Sequence, residues 1–321
     1  MSGHGKGDPK KVVIAALAGN LGIAIAKFVA AGLSGSVTML AEAVHSVADT
    51  CNQGLLLLGM ILSKKNDPER YPLGRAKESY FWPFVVSLML FFMGGVYAVY
   101  EGIHKLSHPF GEPGSLIAPV IVLVISIGLE SGSFYVAFRE FNRTRGTLPI
   151  HKALFRGKDP TIPLVLLEDA GAMVGLVVAL IAVAATWFTG SGVADGIGSV
   201  VIGVLLCGIG ITLARDTRSL LIGEAATAEV KAKVLVLARS VPGVEAVTQL
   251  LTLHLGPDSI LLALKLRFRP GMLLEEVERV TDAVEEKIRA ELPQVKRIFV
   301  EADSDYDERL DPERAVSPRR Q

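Results

Sequence analysis

The sequence contains few cysteines and no excess of either charge, and both features narrow the possible functions. Cys51 and Cys207 lie in apolar runs, so they form neither a disulfide framework nor a Cys-x-x-Cys zinc site. Basic and acidic residues number 33 each, so the net charge gives no reason to expect a nucleic acid partner. Charged residues make up only 21% of the chain, and 50% of the residues are hydrophobic. We therefore expect a membrane protein, because average soluble domains are about 25% charged.

The charges are also unevenly distributed along the chain. Of the 33 basic and 33 acidic residues, 30 precede Arg215 and 36 lie from Arg215 onward. In the first part, six apolar stretches are long enough to cross the hydrocarbon layer, which takes about 20 helical residues. They cover residues 12–33, 37–62, 80–100, 116–138, 162–188 and 192–214. We therefore predict a tail at 1–11 and a six-helix transmembrane domain at 12–214.

After residue 214 the apolar pattern becomes that of a small α/β domain. Helices are predicted at 227–240 and 273–292, and strands at 244–255, 259–268 and 295–300. Segment 304–321 is charged and contains proline without an apolar period, so it is expected to be disordered. The predicted fold class is an α-helical integral membrane protein with six transmembrane helices and an α-β-β-α-β domain at 215–303.

Cationic residues predict the orientation, because short cytoplasmic loops carry an excess of lysine and arginine. The loops after the second and fourth spans hold Lys64, Lys65, Arg70, Arg75, Lys77, Arg139, Arg143, Arg145, Lys152, Arg156 and Lys158. The opposite loops contain only Lys105. Both termini and the α/β domain are therefore predicted to be cytoplasmic. Segment 1–11 has no small-residue cleavage site, so it does not read as a signal peptide, and it leaves no room for an organellar presequence. A bacterial inner membrane is therefore the expected location.

The second span carries four polar residues on one helical face, at spacings of three, four and three. They are Glu42, His45, Asp49 and Asn52. An ionisable group inside a membrane costs about 2.5–3.5 kcal/mol on insertion scales, so this cluster needs a compensating partner, and a bound cation would compensate. The fifth span supplies Glu168 and Asp169. Imidazole and carboxylates without a well-placed thiolate suit Zn²⁺, Fe²⁺, Co²⁺ or Mn²⁺ and suit Cu⁺ badly.

Other interpretations of these residues remain open. The alternative for His45 and Asp49 is a buried structural pair that joins helices, although ionisable residues in membranes are functional by default. Glu42 either binds metal or lines an aqueous vestibule, and Glu130 in the fourth span is similarly ambiguous. Lys27 in the first span is expected to extend its amine toward the membrane surface.

Three segments, 34–56, 71–78 and 299–303, resemble the cation diffusion facilitator family, and the similarity spans about residues 12–303. His-x-x-x-Asp in the second span, followed by Asp-Thr-Cys-Asn-Gln-Gly, and Leu-Leu-Glu-Asp in the fifth are similar to the zinc transporter nine subgroup in particular. The resemblance implies a homodimer of six-helix protomers with metallochaperone-like cytoplasmic domains, which exports divalent metal in exchange for protons. His45, Asp49 and Asp169 match the family's ligand motif.

The sequence departs from the family pattern at three places. The family places a histidine or aspartate four residues before the aspartate of the fifth span, where this chain has Val165, and we predict that Glu168 replaces that ligand. The loop after the second span has Tyr71 and Arg75 where many members place histidines, so a metal site there is not expected. The soluble domain contains only His254, which argues against a multinuclear regulatory site.

The expected function is export of a divalent cation, Zn²⁺ by preference, in exchange for protons. Metal ligands must be deprotonated, so loading His45, Asp49, Asp169 and Glu168 releases protons. The expected partners are the metal as substrate rather than resident cofactor, protons, the lipid bilayer and a second copy of the chain. An exporter of Mn²⁺, Fe²⁺ or Co²⁺, or a transport-inactive metal sensor or scaffold, stays open. An enzyme is not expected, because His-Glu-x-x-His is absent.

Overall fold

The computed structural model describes residues 9–34, 37–107, 117–146, 148–189 and 191–303. The chain folds as two compact units, Met1–Leu221 and Ile222–Gln321. The described part of the first unit is helical, and that of the second combines two helices with a three-stranded sheet. This confirms the predicted fold class. The predicted disordered tail at 304–321 lies outside the described residues.

The described residues of the first unit form eight α-helices. These are α1 (Pro9–Ser34), α2 (Val37–Leu62), α3 (Glu78–Met89), α4 (Tyr97–Ser107), α5 (Ile117–Arg145), α6 (Ile150–Arg156), α7 (Thr161–Thr189) and α8 (Val193–Ile222). Among the described residues, five segments are long and apolar enough to cross a membrane, namely Pro9–Ala30, Glu78–Ser107, Val120–Arg145, Thr161–Thr189 and Val193–Ile222. Helix α2 has 26 residues, as many as α1. Each of the six predicted spans therefore coincides with helical structure.

Helices α5 and α8 continue beyond the apolar stretches that predicted them. Helix α5 ends at Arg145 and α8 at Ile222, because backbone hydrogen bonding continues where the side chains become polar. Arg143 and Arg145 lie in the last turn of α5, where cations interact favourably with the helix dipole. Helix α6, only 7 residues long, was not predicted from the sequence.

Four of the long helices pack around a common apolar core. Helix α1 packs against α2 and α5, and α5 packs against α7. The core includes Val13 of α1, Leu56 of α2, Ala137 of α5 and Val165 of α7, all fully or almost fully buried. This arrangement brings the polar faces of α2, α5 and α7 into the interior of one helix bundle.

The third span is not one regular helix. A π-helical segment, Leu90–Val96, joins α3 to α4, and this span lies very close to α8. A Cβ atom added at Gly203 would lie 2.6 Å from the backbone nitrogen of Val99 and 2.7 Å from the carbonyl oxygen of Gly95. Small residues permit such an approach between membrane helices. The two backbones can therefore meet at this point only because residue 203 has no side chain.

The second unit contains α9 (Ala228–Arg239), β1 (Val244–Gly256), β2 (Ser259–Phe268), α10 (Leu274–Glu291) and β3 (Val295–Ala302), in the predicted order. The strand order is β1-β2-β3; β1 and β2 are antiparallel, whereas β2 and β3 are parallel because α10 crosses over between them. Strand β2 buries every second side chain, from Ile260 to Leu266. These side chains share a core with Val234 of α9 and Ile288 of α10.

Candidate functional site

Helix α2 presents buried polar side chains to the helix bundle. Asn52 and Gln53 are buried, and Asp49, one turn earlier, is half-buried. Glu42 and His45 lie on the same helix, but their side chains are outside those that the structure describes. Of the four polar residues predicted on this face of α2, the structure therefore describes the side chains of Asp49 and Asn52.

Glu168 of α7 is held by two side-chain amides of α2. Its exposed fraction is 6%, and its Oε1 accepts a hydrogen bond of 3.3 Å from Asn52 Nδ2. Its Oε2 accepts a shorter bond of 2.8 Å from Gln53 Nε2. Hydrogen bonds to a charged group are stronger than those between neutral groups, so Glu168 ties α7 to α2.

Asp169, the next residue, contacts a different helix. It is 2% exposed, and its Oδ2 accepts a hydrogen bond of 2.7 Å from Ser133 Oγ on α5. Consecutive residues of an α-helix point about 100° apart, since a turn takes about 3.6 residues. Glu168 and Asp169 are therefore adjacent in sequence but engage α2 and α5 respectively.

Glu130 of α5 adds a further buried carboxylate, with an exposed fraction of 7%. It lies three residues before Ser133, so the two side chains share a helical face. Glu130 is close enough to Asp49, Asp169 and Lys27 for their charges to interact. Within the described part of the chain, its Oε2 atom has no hydrogen-bond partner.

These side chains bring four carboxyl groups and one ammonium into the helix bundle. Glu168 interacts electrostatically with the other three carboxylates, Asp49, Glu130 and Asp169. Glu130 also interacts with Asp49 and Asp169, and with the ammonium of Lys27 of α1. Lys27 is only 8% exposed, so it lies in the bundle rather than extending its amine outward as expected. With all groups ionised, four carboxylates face one ammonium, an excess of three negative charges. Buried charges of this kind require bound cations or protons.

The arrangement does not form a closed coordination shell among the described side chains. Within residues 9–34, 37–107, 117–146, 148–189 and 191–303, no three His, Cys, Asp or Glu side chains come close enough together to hold a metal ion. The side chain of His45 lies outside that comparison. Val165 is completely buried in the apolar core, and its side chain has no donor atom. The buried amide oxygens of Asn52 and Gln53 have no described hydrogen-bond partner.

Three residues of this site were not identified from the sequence. Gln53 and Ser133 hold the two carboxylates of α7, and Lys27 is buried near Glu130. A signal existed for Ser133, because Ser126, Glu130 and Ser133 recur at spacings of four and three, which places them on one helical face. Polar residues at helical spacing in a membrane span mark an interior face.

The loop after the second span and His254, which were weighed as metal sites from the sequence, make contacts within the protein. Arg75 forms an ion pair of 2.7 Å with Glu78, and its guanidinium lies over the Tyr71 ring, 4.8 Å from the centroid. The hydrogen bond to Glu78 raises the pKa of Arg75. In the second unit, His254 is buried, and its backbone nitrogen donates to the carbonyl of Glu224. Its Nδ1 lies 3.3 Å from the carbonyl oxygen of Gly256.

Two family models match the chain. Residues 13–222 match the model described as cation efflux transmembrane domain, and residues 226–305 match the model described as cation efflux protein, cytoplasmic domain. The boundary between the two matches falls close to the division between the two compact units. The first match includes the described side chains of the candidate site, and the second includes His254.

Curated relatives match over most of this chain. Proton-coupled zinc antiporter SLC30A9, mitochondrial, of Mus musculus is 32% identical over 252 residues, which are 77% of this chain and 44% of the relative. Metal tolerance protein C4 of Arabidopsis thaliana is 30% identical over 75% of this chain and 53% of its own length. The chain thus spans about half the length of these two proteins.

The chain is also similar to a bacterial protein and, in its second unit, to a solved structure. Magnetosome protein MamB of Paramagnetospirillum magneticum is 26% identical over 84% of this chain and 86% of its own length. A solved structure, the nickel form of a MamM C-terminal domain variant, matches 25% of this chain and 100% of its own length, with 20% identity and a TM-score of 0.24.

Proposed function

The chain belongs to the cation efflux family, and from this premise we propose that it exports a divalent metal ion, Zn²⁺ first, from the cytoplasm in exchange for protons. The observation that carries the proposal is the cluster of three buried carboxylates and the half-buried Asp49, with a single described ammonium nearby. The proposed ligands are His45, Asp49 and Asp169, with Glu168 as the fourth candidate from the sequence. The metal is the transported substrate in this proposal, and no catalytic step is involved.

Charge balance supports an exchange of metal for protons. A divalent ion offsets two of the three excess negative charges in the cluster, and protons offset them when the ion is absent. Carboxylate and imidazole ligands must lose their protons to bind the ion, so loading releases protons and reprotonation expels the metal. Moving one helix group against another around a central site would expose it to each side in turn. The name of the Mus musculus relative, a proton-coupled zinc antiporter, agrees with this exchange.

A second candidate substrate class is Mn²⁺, Fe²⁺ or Co²⁺. The described polar side chains around the cluster offer oxygen atoms, and the unpartnered amide oxygens of Asn52 and Gln53 add to them. Oxygen ligands favour harder cations than imidazole does. Zn²⁺ remains the first choice because His45 supplies an imidazole and the family motif includes it.

We further propose that both termini are cytoplasmic and that two copies of the chain form a homodimer. The loops with many cations support the orientation, as does the match of residues 226–305 to a cytoplasmic domain. For the membrane, we propose a bacterial inner membrane. The MamB relative, matched over 86% of its length, comes from a bacterium and supports the bacterial part of this proposal.

The proposed function can be tested with the purified chain in proteoliposomes under an imposed pH gradient. Zn²⁺ entry into the vesicle lumen, measured with a trapped indicator, is expected to increase when the lumen is acidic and to fall when the gradient is dissipated. Parallel measurements with Mn²⁺, Fe²⁺ and Co²⁺ determine the preferred metal. A wild-type flux equal to that of empty vesicles for every metal would contradict transport and favour a sensor or scaffold.

The matched variants remove one carboxylate each. Asp169→Asn is expected to abolish the flux, because Asp169 is a proposed ligand. Glu101→Gln removes a carboxylate of α4 that forms an ion pair of 3.2 Å with Lys105, outside the cluster, and is expected to leave the flux near wild type. If the flux of Asp169→Asn were as close to wild type as that of Glu101→Gln, the buried cluster would not bind the transported ion.

A further inference from the structure

Glu130 is a buried carboxylate for which the ligand motif has no position. The side chain is 7% exposed, and its Oε2 atom has no hydrogen-bond partner in the described part of the chain. A buried carboxylate oxygen without a donor is costly, because it has lost its water without gaining a replacement. A cation bound to this oxygen would remove that cost.

Glu130 lies on the face of α5 that contacts Asp169, one of the proposed metal ligands. Ser126, Glu130 and Ser133 are buried and lie four and three residues apart along α5, so they share one face. Ser133 donates the hydrogen bond of 2.7 Å to Asp169. The charge of Glu130 interacts with those of Asp169 and Asp49. Carboxylates of α2, α5 and α7 therefore interact in one region of the bundle. Since no three described His, Cys, Asp or Glu side chains are close enough to hold a metal ion, an ion bound there would draw them together.

Glu168 differs from Glu130 in how its oxygens are used. Both of its oxygen atoms accept hydrogen bonds from α2, at 3.3 Å from Asn52 and 2.8 Å from Gln53. A metal ion would have to compete with these bonds, whereas Oε2 of Glu130 is unoccupied by any described donor. The position four residues before Asp169 is no competitor, since Val165 has no donor atom.

We propose that Glu130 binds the transported ion as its fourth protein ligand, with His45, Asp49 and Asp169, and that Glu168 ties α7 to α2 instead. This inference rests on the proposed function, because it requires an ion at Asp49 and Asp169. The resulting set contains one imidazole and three carboxylates. Such a site discriminates less against Mn²⁺ and Fe²⁺ than a site with two imidazoles, because oxygen ligands suit harder cations.

The test measures metal binding by the full chain in detergent. Zn²⁺ affinity is determined by equilibrium titration, and the visible absorption of bound Co²⁺ reports its coordination geometry. Glu130→Gln is expected to weaken Zn²⁺ binding by about 100-fold, since even second-shell changes cost about 10–100-fold, and to alter the Co²⁺ absorption. Glu168→Gln is expected to weaken binding by at most about tenfold and to leave the Co²⁺ absorption unchanged.

Glu140→Gln is the matched control on the same helix. Glu140 pairs with Arg143 at 3.6 Å, and the variant is expected to bind both metals as wild type does. If Glu130→Gln does not fold, Glu130→His retains a donor atom and is expected to bind Co²⁺ with a shifted absorption, because a nitrogen replaces an oxygen. An unshifted spectrum in a folded Glu130→His variant would overturn the proposal.

Two further outcomes are decisive. Wild-type affinity and Co²⁺ absorption in Glu130→Gln, or a larger loss in Glu168→Gln than in Glu130→Gln, would overturn the role of Glu130 while leaving the proposed function in place. Wild-type Zn²⁺ binding after Asp169→Asn would instead contradict the proposed site itself, and this inference with it. The Asp169→Asn measurement therefore separates the two failures.

Discussion

Replacement of Gly203 by alanine is expected to destabilise the contact between α8 and the third span. The added Cβ would lie 2.6 Å from the Val99 nitrogen and 2.7 Å from the Gly95 carbonyl oxygen. Both neighbours are backbone atoms, so no side-chain rotation relieves the clash and the helices must separate. Inserting one carbon into a well-packed interior costs about 1–3 kcal/mol, and the rigid backbone neighbours place this change near the upper value.

Gly208→Ala is the matched control on the same helix. A Cβ added at Gly208 meets no atom within 4 Å, and alanine is about 1 kcal/mol more favourable than glycine inside a helix. Thermal unfolding of the purified chain in detergent, followed by circular dichroism, should show Gly203→Ala melting about 5–10 °C below wild type. Gly208→Ala should melt at the wild-type temperature or slightly above it.

Metal binding separates this packing effect from an effect on the site. The buried carboxylates lie on α2, α5 and α7, so the folded fraction of Gly203→Ala should bind Zn²⁺ with wild-type affinity. Equal melting temperatures for Gly203→Ala and wild type would refute the close approach of the two spans.

Three further changes test the site and the soluble unit. Asp49→Asn is expected to abolish metal flux while the protein stays folded, and near-normal flux in proteoliposomes would exclude Asp49 as a ligand. Lys27→Met removes a cation beside the carboxylates and is expected to raise Zn²⁺ affinity about tenfold, because charge repulsion weakens; a lower affinity in calorimetry would contradict this. The hydrogen bond from Lys233 lowers the pKa of Glu291 in the folded protein. The pair therefore stabilises the fold fully above the pKa of about 4.3 that Glu291 has in the unfolded chain, and this stabilisation is lost as the pH falls through the pKa of Glu291 in the folded protein. Lys233→Met should therefore flatten the dependence of the melting temperature on acidic pH, and an unchanged dependence would refute the pairing.

The fold was predictable where burial follows a simple period. Strand β2 alternates buried and less buried residues from Ile260 to Leu266, and this period of two is visible in the sequence. The spans were predictable from length instead, because an apolar stretch of about 20 residues is long enough to cross the hydrocarbon layer as a helix. The π-helical segment Leu90–Val96 and helix α6 were not predicted, because a local shift of backbone hydrogen bonds or a short helix leaves no periodic pattern.

The candidate site was predictable in its carboxylates but not in their partners. Asp49, Glu168 and Asp169 stand out because charge is costly in a membrane. Their partners depend on how far each helix is shifted and rotated against its neighbours, which periodicity and motifs in the sequence do not reveal. The amide of Gln53 and the hydroxyl of Ser133 became identifiable as partners only once α2, α5 and α7 were packed together.

The central claim is that metal and protons compete for the buried carboxylates, and the number of protons released on metal binding tests it most directly. Zn²⁺ can be titrated calorimetrically into the full chain at one pH in two buffers with different ionisation enthalpies. We expect the measured heats to differ between the buffers by the equivalent of about one proton or more per ion. Zn²⁺ binding with identical heats in both buffers would show that no proton is exchanged and would contradict the account.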